Sequence, residues 1–123
     1  MAGKASSRRP EQVAESIRAT LTEALLRGDV RDPRVNMVTV SAIEVTRDLG
    51  HATVQVVPHG TAEEKAAALE GLQSAAGFLR RMVARTLTTR TVPTLHFVLD
   101  RGFEHAQRVD QLLAEIKREE ETS

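Results

Sequence analysis

The chain has 123 residues, 41% hydrophobic and 28% charged, which suits one domain with one modest core. The absence of cysteine excludes disulfides, thiol nucleophiles and Cys-based zinc sites. With Phe78, Phe97 and Phe103 as the only aromatics, base stacking is poorly supplied, which argues against a cold-shock or RRM-type reader. Seventeen basic residues balance seventeen acidic ones, but unevenly: residues 74–91 hold four arginines and no acid, whereas residues 100–123 hold four basic and seven acidic residues.

Residues 1–9 read as a flexible basic tail with Lys4, Arg8 and Arg9, and no apolar stretch there resembles a secretory signal. No apolar run approaches the ~20 residues needed to span a bilayer, so a soluble cytosolic protein is expected. Pro10 suits a first helical position, and Val13, Ile17, Leu21 and Leu25 recur at i+4 spacing, predicting a helix over 10–27 with Gly28 as its cap. The Asp29–Arg34 stretch is a connection, because Pro33 disfavours helical geometry at Asp32. A first strand is expected over 36–46. Its apolar phase runs through Val38, Val40 and Ala42 and then switches to Ile43 and Val45, as a bulge or partial burial on both faces would produce. Arg47–Gly50 reads as a turn, and Ala52, Val54 and Val56 alternate along a second strand over 51–57.

Thr61 with Glu64 forms a capping-box pattern that opens a helix with Ala68, Leu69, Leu72, Ala75 and Ala76 on its buried stripe. That pattern is interrupted at Ala75-Ala76-Gly77 and resumes through Leu79, Met82, Val83 and Leu87. Gly costs a helix interior roughly 1 kcal/mol relative to Ala, so Gly77 needs a reason. Either it allows tight internal packing, or it lets a partner's backbone approach. Leu95, Phe97 and Leu99 alternate along a third strand after Pro93. Phe103, Ala106, Val109, Leu113 and Ile116 mark a last amphipathic helix, and residues 119–123 read as a solvated tail. The order α-β-β-α-kink-α-β-α implies one α+β domain over 10–118, a three-stranded sheet with helices on one face.

No Walker, Rossmann, zincin or nucleophile-elbow motif is present. His51 and His59 flank the second strand too far apart to share a metal, His96 reads as a surface residue, and Asp48 reads as a turn former. No enzyme, metal or cofactor is therefore expected. Arg81 and Arg85 are i,i+4 neighbours with Arg80 beside them and Arg90 just beyond, and Arg31, Arg34 and Arg47 lie in loops that could join them. The planar guanidinium suits phosphate oxygens, which points to RNA; solvated surface charge is the plainer reading of any single arginine.

Three patches together resemble the ribosome-binding factor A family of bacterial small-subunit assembly factors. They are Asp32-Pro33-Arg34 followed by VTVSAIEVTRDLGHATVQV, then LQSAAGFLRRMVARTLTTRTVP, then TLHFVLDRG, within about residues 9–116. The resemblance implies a type II KH-like fold in which an Ala-x-Gly kink, here Ala75, Ala76 and Gly77, replaces the usual G-x-x-G loop. It further implies a cold-adaptation factor that contacts 16S rRNA on the free 30S subunit near its neck and decoding region. Such a factor assists late maturation and 5′-end processing, leaves before translation and has no catalytic activity. By motif, the kink residues and Arg80 are the RNA-facing candidates; Arg81, Arg85 and Arg90 are added by charge clustering. The neutral total charge departs from an rRNA binder's usual excess. A monomer is expected, with a protein-interaction module that uses the open sheet face or the acidic last helix as the alternative.

Overall fold

The computed structural model describes residues 9–122, with the side chains of residues 103–110 and 122 outside the description. Helix α1 (Pro10–Arg27) buries Val13, Ile17 and Leu21 completely, as their spacing predicts, but the last fully buried position is Ala24, with Leu25 only half-buried beside it. It ends because Gly28 turns left-handed at φ 73°, a conformation that costs glycine nothing. There the Asp29 N–H reaches the Ala24 carbonyl at 3.0 Å.

Strand β1 (Thr39–Val45) starts later than the expected residue 36. Met37 has φ 52°, outside the extended region that a strand ladder requires, so residues 36–38 do not extend β1. β2 (His51–Val57) pairs antiparallel with β1 and parallel with β3 (Thr94–Leu99), giving the order β1-β2-β3. The expected bulge is present. Val40 faces Val56 while Ala42 faces Gln55, so Ser41 is the extra residue and the apolar phase changes across it. Arg18 of α1 fixes this bulge by donating to the Val40 and Ser41 carbonyls at 3.0 and 3.1 Å. In the β1–β2 turn Asp48 does accept turn hydrogen bonds, from the Thr46 hydroxyl at 2.7 Å and the Gly50 N–H at 2.9 Å. These donors hold its carboxyl below the usual carboxylate range.

Helix α2 (Ala62–Ser74) is closed at its start by the predicted capping box: Thr61 Oγ1 accepts from the Glu64 N–H at 3.1 Å, and Glu64 accepts from the Thr61 N–H at 3.0 Å. Helix α3 (Ala76–Thr86) follows after a single non-helical residue, Ala75. Together α1, α2 and α3 cover one sheet face, where Leu72, Leu79 and Val83 meet Val54, Val56 and Phe97 in the core. Truncating Leu72 or Leu79 to Ala would cost about 2–5 kcal/mol. Helix α4 (Gly102–Thr122) runs past residue 118 and leaves Leu112, Leu113 and Ile116 exposed. Phe103, Ala106 and Val109, and residues 1–8, lie outside the described side chains.

Candidate nucleic-acid interface

The α2–α3 junction is a true break. Ala75 has φ −88° and ψ 0°; its N–H still reaches the Gly71 and Leu72 carbonyls at 3.0 and 3.1 Å, and its carbonyl accepts from Leu79 at 2.9 Å. The chain therefore turns without losing its hydrogen bonds at this residue. Ala75 and Ala76 are half-buried against the core, whereas Gly77, already in the first turn of α3, is exposed.

Two glycines separate the two reasons for a glycine here. Gly71 is buried, and a Cβ on it would lie 2.8 Å from Val35 Cγ2 and 3.2 Å from Asp32 Oδ2. Its missing side chain is what lets the Asp29–Arg34 loop seat against α2. Among the described residues a Cβ on Gly77 would meet only Arg81 Nη1, at 3.7 Å, an ordinary contact with a flexible tip. Internal packing therefore does not require Gly77. The packing role falls to Gly71, which the sequence pattern did not single out, although its place between Ala68, Leu72 and Ala75 on one helical face was visible.

The end of the Asp29–Arg34 loop is closed by its own hydrogen bonds. Asp32 accepts from the Arg34 N–H at 3.0 Å and takes the Arg34 guanidinium at 2.6–3.2 Å, while the Val35 N–H closes the turn onto the Asp32 carbonyl at 2.9 Å. The hydrogen bonds from Arg34 lower the Asp32 pKa to about 2. Arg34 is thus already neutralised within its loop. Arg80 is likewise engaged: its Nε and Nη2 donate to the Val92 carbonyl at 3.2 and 2.8 Å, and Nε reaches the Pro93 carbonyl at 3.3 Å. It ties α3 to the segment ahead of β3.

No hydrogen bond or ion pair among the described residues engages Arg81, Arg85, Arg90 or Arg47. Gly77, Arg81 and Arg85 follow at i, i+4 and i+8 along the exposed side of α3, opposite buried Leu79 and Val83. No side chain caps α3, and no acid lies in its first turn. Its positive dipole end thus has no carboxylate in its first turn to satisfy it, in contrast to α2 with Glu63 and Glu64. Arg90 and Arg47 sit elsewhere, in the segment before β3 and in the β1–β2 turn, which meet where the Thr94 N–H donates to the Gly50 carbonyl at 2.9 Å.

Arg34 and Ala75 line an open groove of about 1040 Å³ together with Arg31, Gly71, Ser74 and Phe78. Phe78 is 40% exposed, whereas Phe97 is 3% exposed. Counting aromatics concealed this ring, although its helical phase, off the Leu79–Val83 stripe, marked it as outward. A second cluster also escaped sequence reasoning. His51 and His96 meet on the open sheet face with Nδ1 and Nε2 3.0 Å apart, because β2 and β3 pair in parallel with His96 opposite Thr53. Among the described residues no group of three or more His, Asp or Glu could hold a metal. No helix there is long and apolar enough to cross a membrane.

A parallel β2–β3 pair, three helices on one face and a helix–Ala-x-Gly–helix in place of a G-x-x-G loop define a type II KH-like α+β protein. The sequence profile of ribosome-binding factor A matches residues 9–113, so the chain belongs to the ribosome-binding factor A family. It is 47% identical over 113 residues to ribosome-binding factor A of Thermomicrobium roseum, covering 92% of this chain and 87% of that one. The crystal structure of ribosome-binding factor A from Thermus thermophilus superposes with a TM-score of 0.63 at 25% identity, covering 75% of this chain and 97% of that one. A homology model of the Thermus thermophilus factor, fitted into a cryo-EM map of its 30S complex, matches with a TM-score of 0.53 at 30% identity, covering 70% and 93%.

Proposed function

We propose that this chain is a non-enzymatic maturation factor of the small ribosomal subunit. As a cytoplasmic monomer it binds 16S rRNA on free 30S particles and assists late assembly and processing of the rRNA 5′ end, without metal or cofactor. The observation that carries this reading is Gly77, exposed at an uncapped helix start and required by no packing contact among the described residues. Ala75 and Ala76 set the angle of the break, and Gly77 lets an RNA backbone come close. Arg81 and Arg85 beside it supply phosphate affinity, with Arg90 and Arg47 as outlying contacts. Arg80 and Arg34 first hold the local structure, and the Arg80 Nη1 is not used in doing so. A relative fitted into a 30S complex and the family membership support the particle chosen.

Exposed Leu112, Leu113 and Ile116 on an acidic helix favour a second, accompanying reading in which α4 faces a protein surface of the same particle. Co-sedimentation with 30S, 50S and 70S particles at rising salt, followed by rRNA crosslinking, tests both. Retention on 30S that falls steeply with salt is expected, because bound cations displace counterions from phosphates. Salt-insensitive binding with crosslinks only to ribosomal proteins would overturn the RNA reading.

A further inference from the structure

The groove beside the helix break has a composition that phosphate binding alone leaves unused. Phe78 forms one wall with Ala75 and Ser74, and the Asp29–Arg34 loop forms the other with Arg31 and Pro33. Both acids of that loop are already occupied, Asp29 by Arg27 at 3.2 Å and Asp32 by Arg34 at 2.6 Å. The unopposed charge at the groove is therefore Arg31, which is exposed and has no partner among the described residues. An exposed aromatic ring and an unpaired guanidinium that line the same groove are two surfaces against which a planar π-system can rest, whichever base supplies it. Phe78 and Arg81 are i,i+3 neighbours, so a strand whose phosphate rests on Arg81 passes the mouth of this groove.

We infer that the groove takes one unpaired nucleobase of the bound RNA, stacked on Phe78 and flanked by Arg31, with little preference among bases. This rests on the RNA reading of the break and adds to it a base-holding subsite. The hydrogen-bonded Asp32–Arg34 turn seated on Gly71 keeps the far wall in place before RNA arrives, so little ordering cost falls on binding.

The chain contains no Trp or Tyr, so Phe78→Trp introduces a single indole that reports directly on this groove. It is titrated with a short single-stranded RNA of mixed sequence, with the same RNA made abasic, with protein-free 16S rRNA and with 30S particles. Quenching by the intact RNA, the rRNA and the 30S particle, and none by the abasic strand, is expected. In parallel, Phe78→Ala and Phe78→Leu should each weaken binding about tenfold with the salt dependence unchanged, because stacking needs the ring and not merely its bulk. Wild-type binding with no quenching, or Phe78→Leu binding like wild type, would overturn the base subsite while leaving the arginine stripe intact. Quenching by 30S particles but not by protein-free rRNA would overturn it in favour of a protein segment in the groove. Failure of the unmodified chain to bind any of these RNAs would overturn the RNA reading itself.

Discussion

Gly71 and Gly77 flank the same helix break and serve opposite masters. Gly71 is buried, and a single added carbon would strike Val35 and Asp32. Gly77 is exposed, and an added carbon would meet, among the described residues, only the tip of Arg81. The starts of α2 and α3 differ in the same sense. One is sealed by Thr61, Glu63 and Glu64; the other begins with neither cap nor acid. The contrast teaches that a fold can spend a glycine on itself or leave one for a partner. Only the surroundings of each glycine tell which.

Gly71→Val should break the contrast most severely, because it drives atoms into Val35 and the Asp32 carboxylate. A loss of about 1–3 kcal/mol, or more if the loop cannot shift, is expected by urea denaturation, with particle binding falling as a consequence of misfolding. Replacing Arg81 and Arg85 together with Ala should leave stability within about 0.5 kcal/mol, since neither is engaged by a hydrogen bond or ion pair among the described residues. The same pair should lower 30S affinity and reduce the logarithmic salt slope by about 1 for each arginine in contact with phosphate. An unchanged slope would remove these residues from the interface.

The smallest effect concerns the loop seated on Gly71. Asp32 is held at a pKa of about 2 by Arg34, below its ordinary 3.8, so the ionised pair contributes stability above that ordinary value and loses it as pH falls through about 2. An NMR titration of the Asp32 carboxyl should therefore show its midpoint near 2, and Arg34→Ala should move it upward towards 3.8. A midpoint unmoved by Arg34→Ala would mean that the turn is not held by this pair.

The parts of this molecule that were legible in the sequence are those whose cause is local. Thr61 and Glu64 are a cap because they are three residues apart, and the switch from Val40 to Ile43 betrayed the bulge because strand periodicity is two. The break at Ala75 showed as a lapse in helical pattern. Non-local contacts left no such trace. Gly71 has meaning only once Asp32 and Val35 are folded onto it, and the His51–His96 pair exists only through a parallel register. Met37 enters its left-handed conformation with no residue type to announce it, which is why β1 begins later than expected. Of the candidate arginines the sequence supplied the charge but not its partners. Among the described residues the structure finds Arg34 and Arg80 engaged and Arg81 and Arg85 free of such bonds.

The central claim, that the break is shaped for an RNA backbone and not for its own packing, is tested most directly by Gly77→Val, with stability and 30S affinity measured on the same preparation. Valine is the better helix former of the two and its Cβ would make only an ordinary contact with the Arg81 tip, so stability should be unchanged or slightly higher. Affinity should fall about tenfold, roughly 1.4 kcal/mol, because the side chain occupies the approach path. Equal losses of stability and affinity, or affinity left at the wild-type value, would contradict the account.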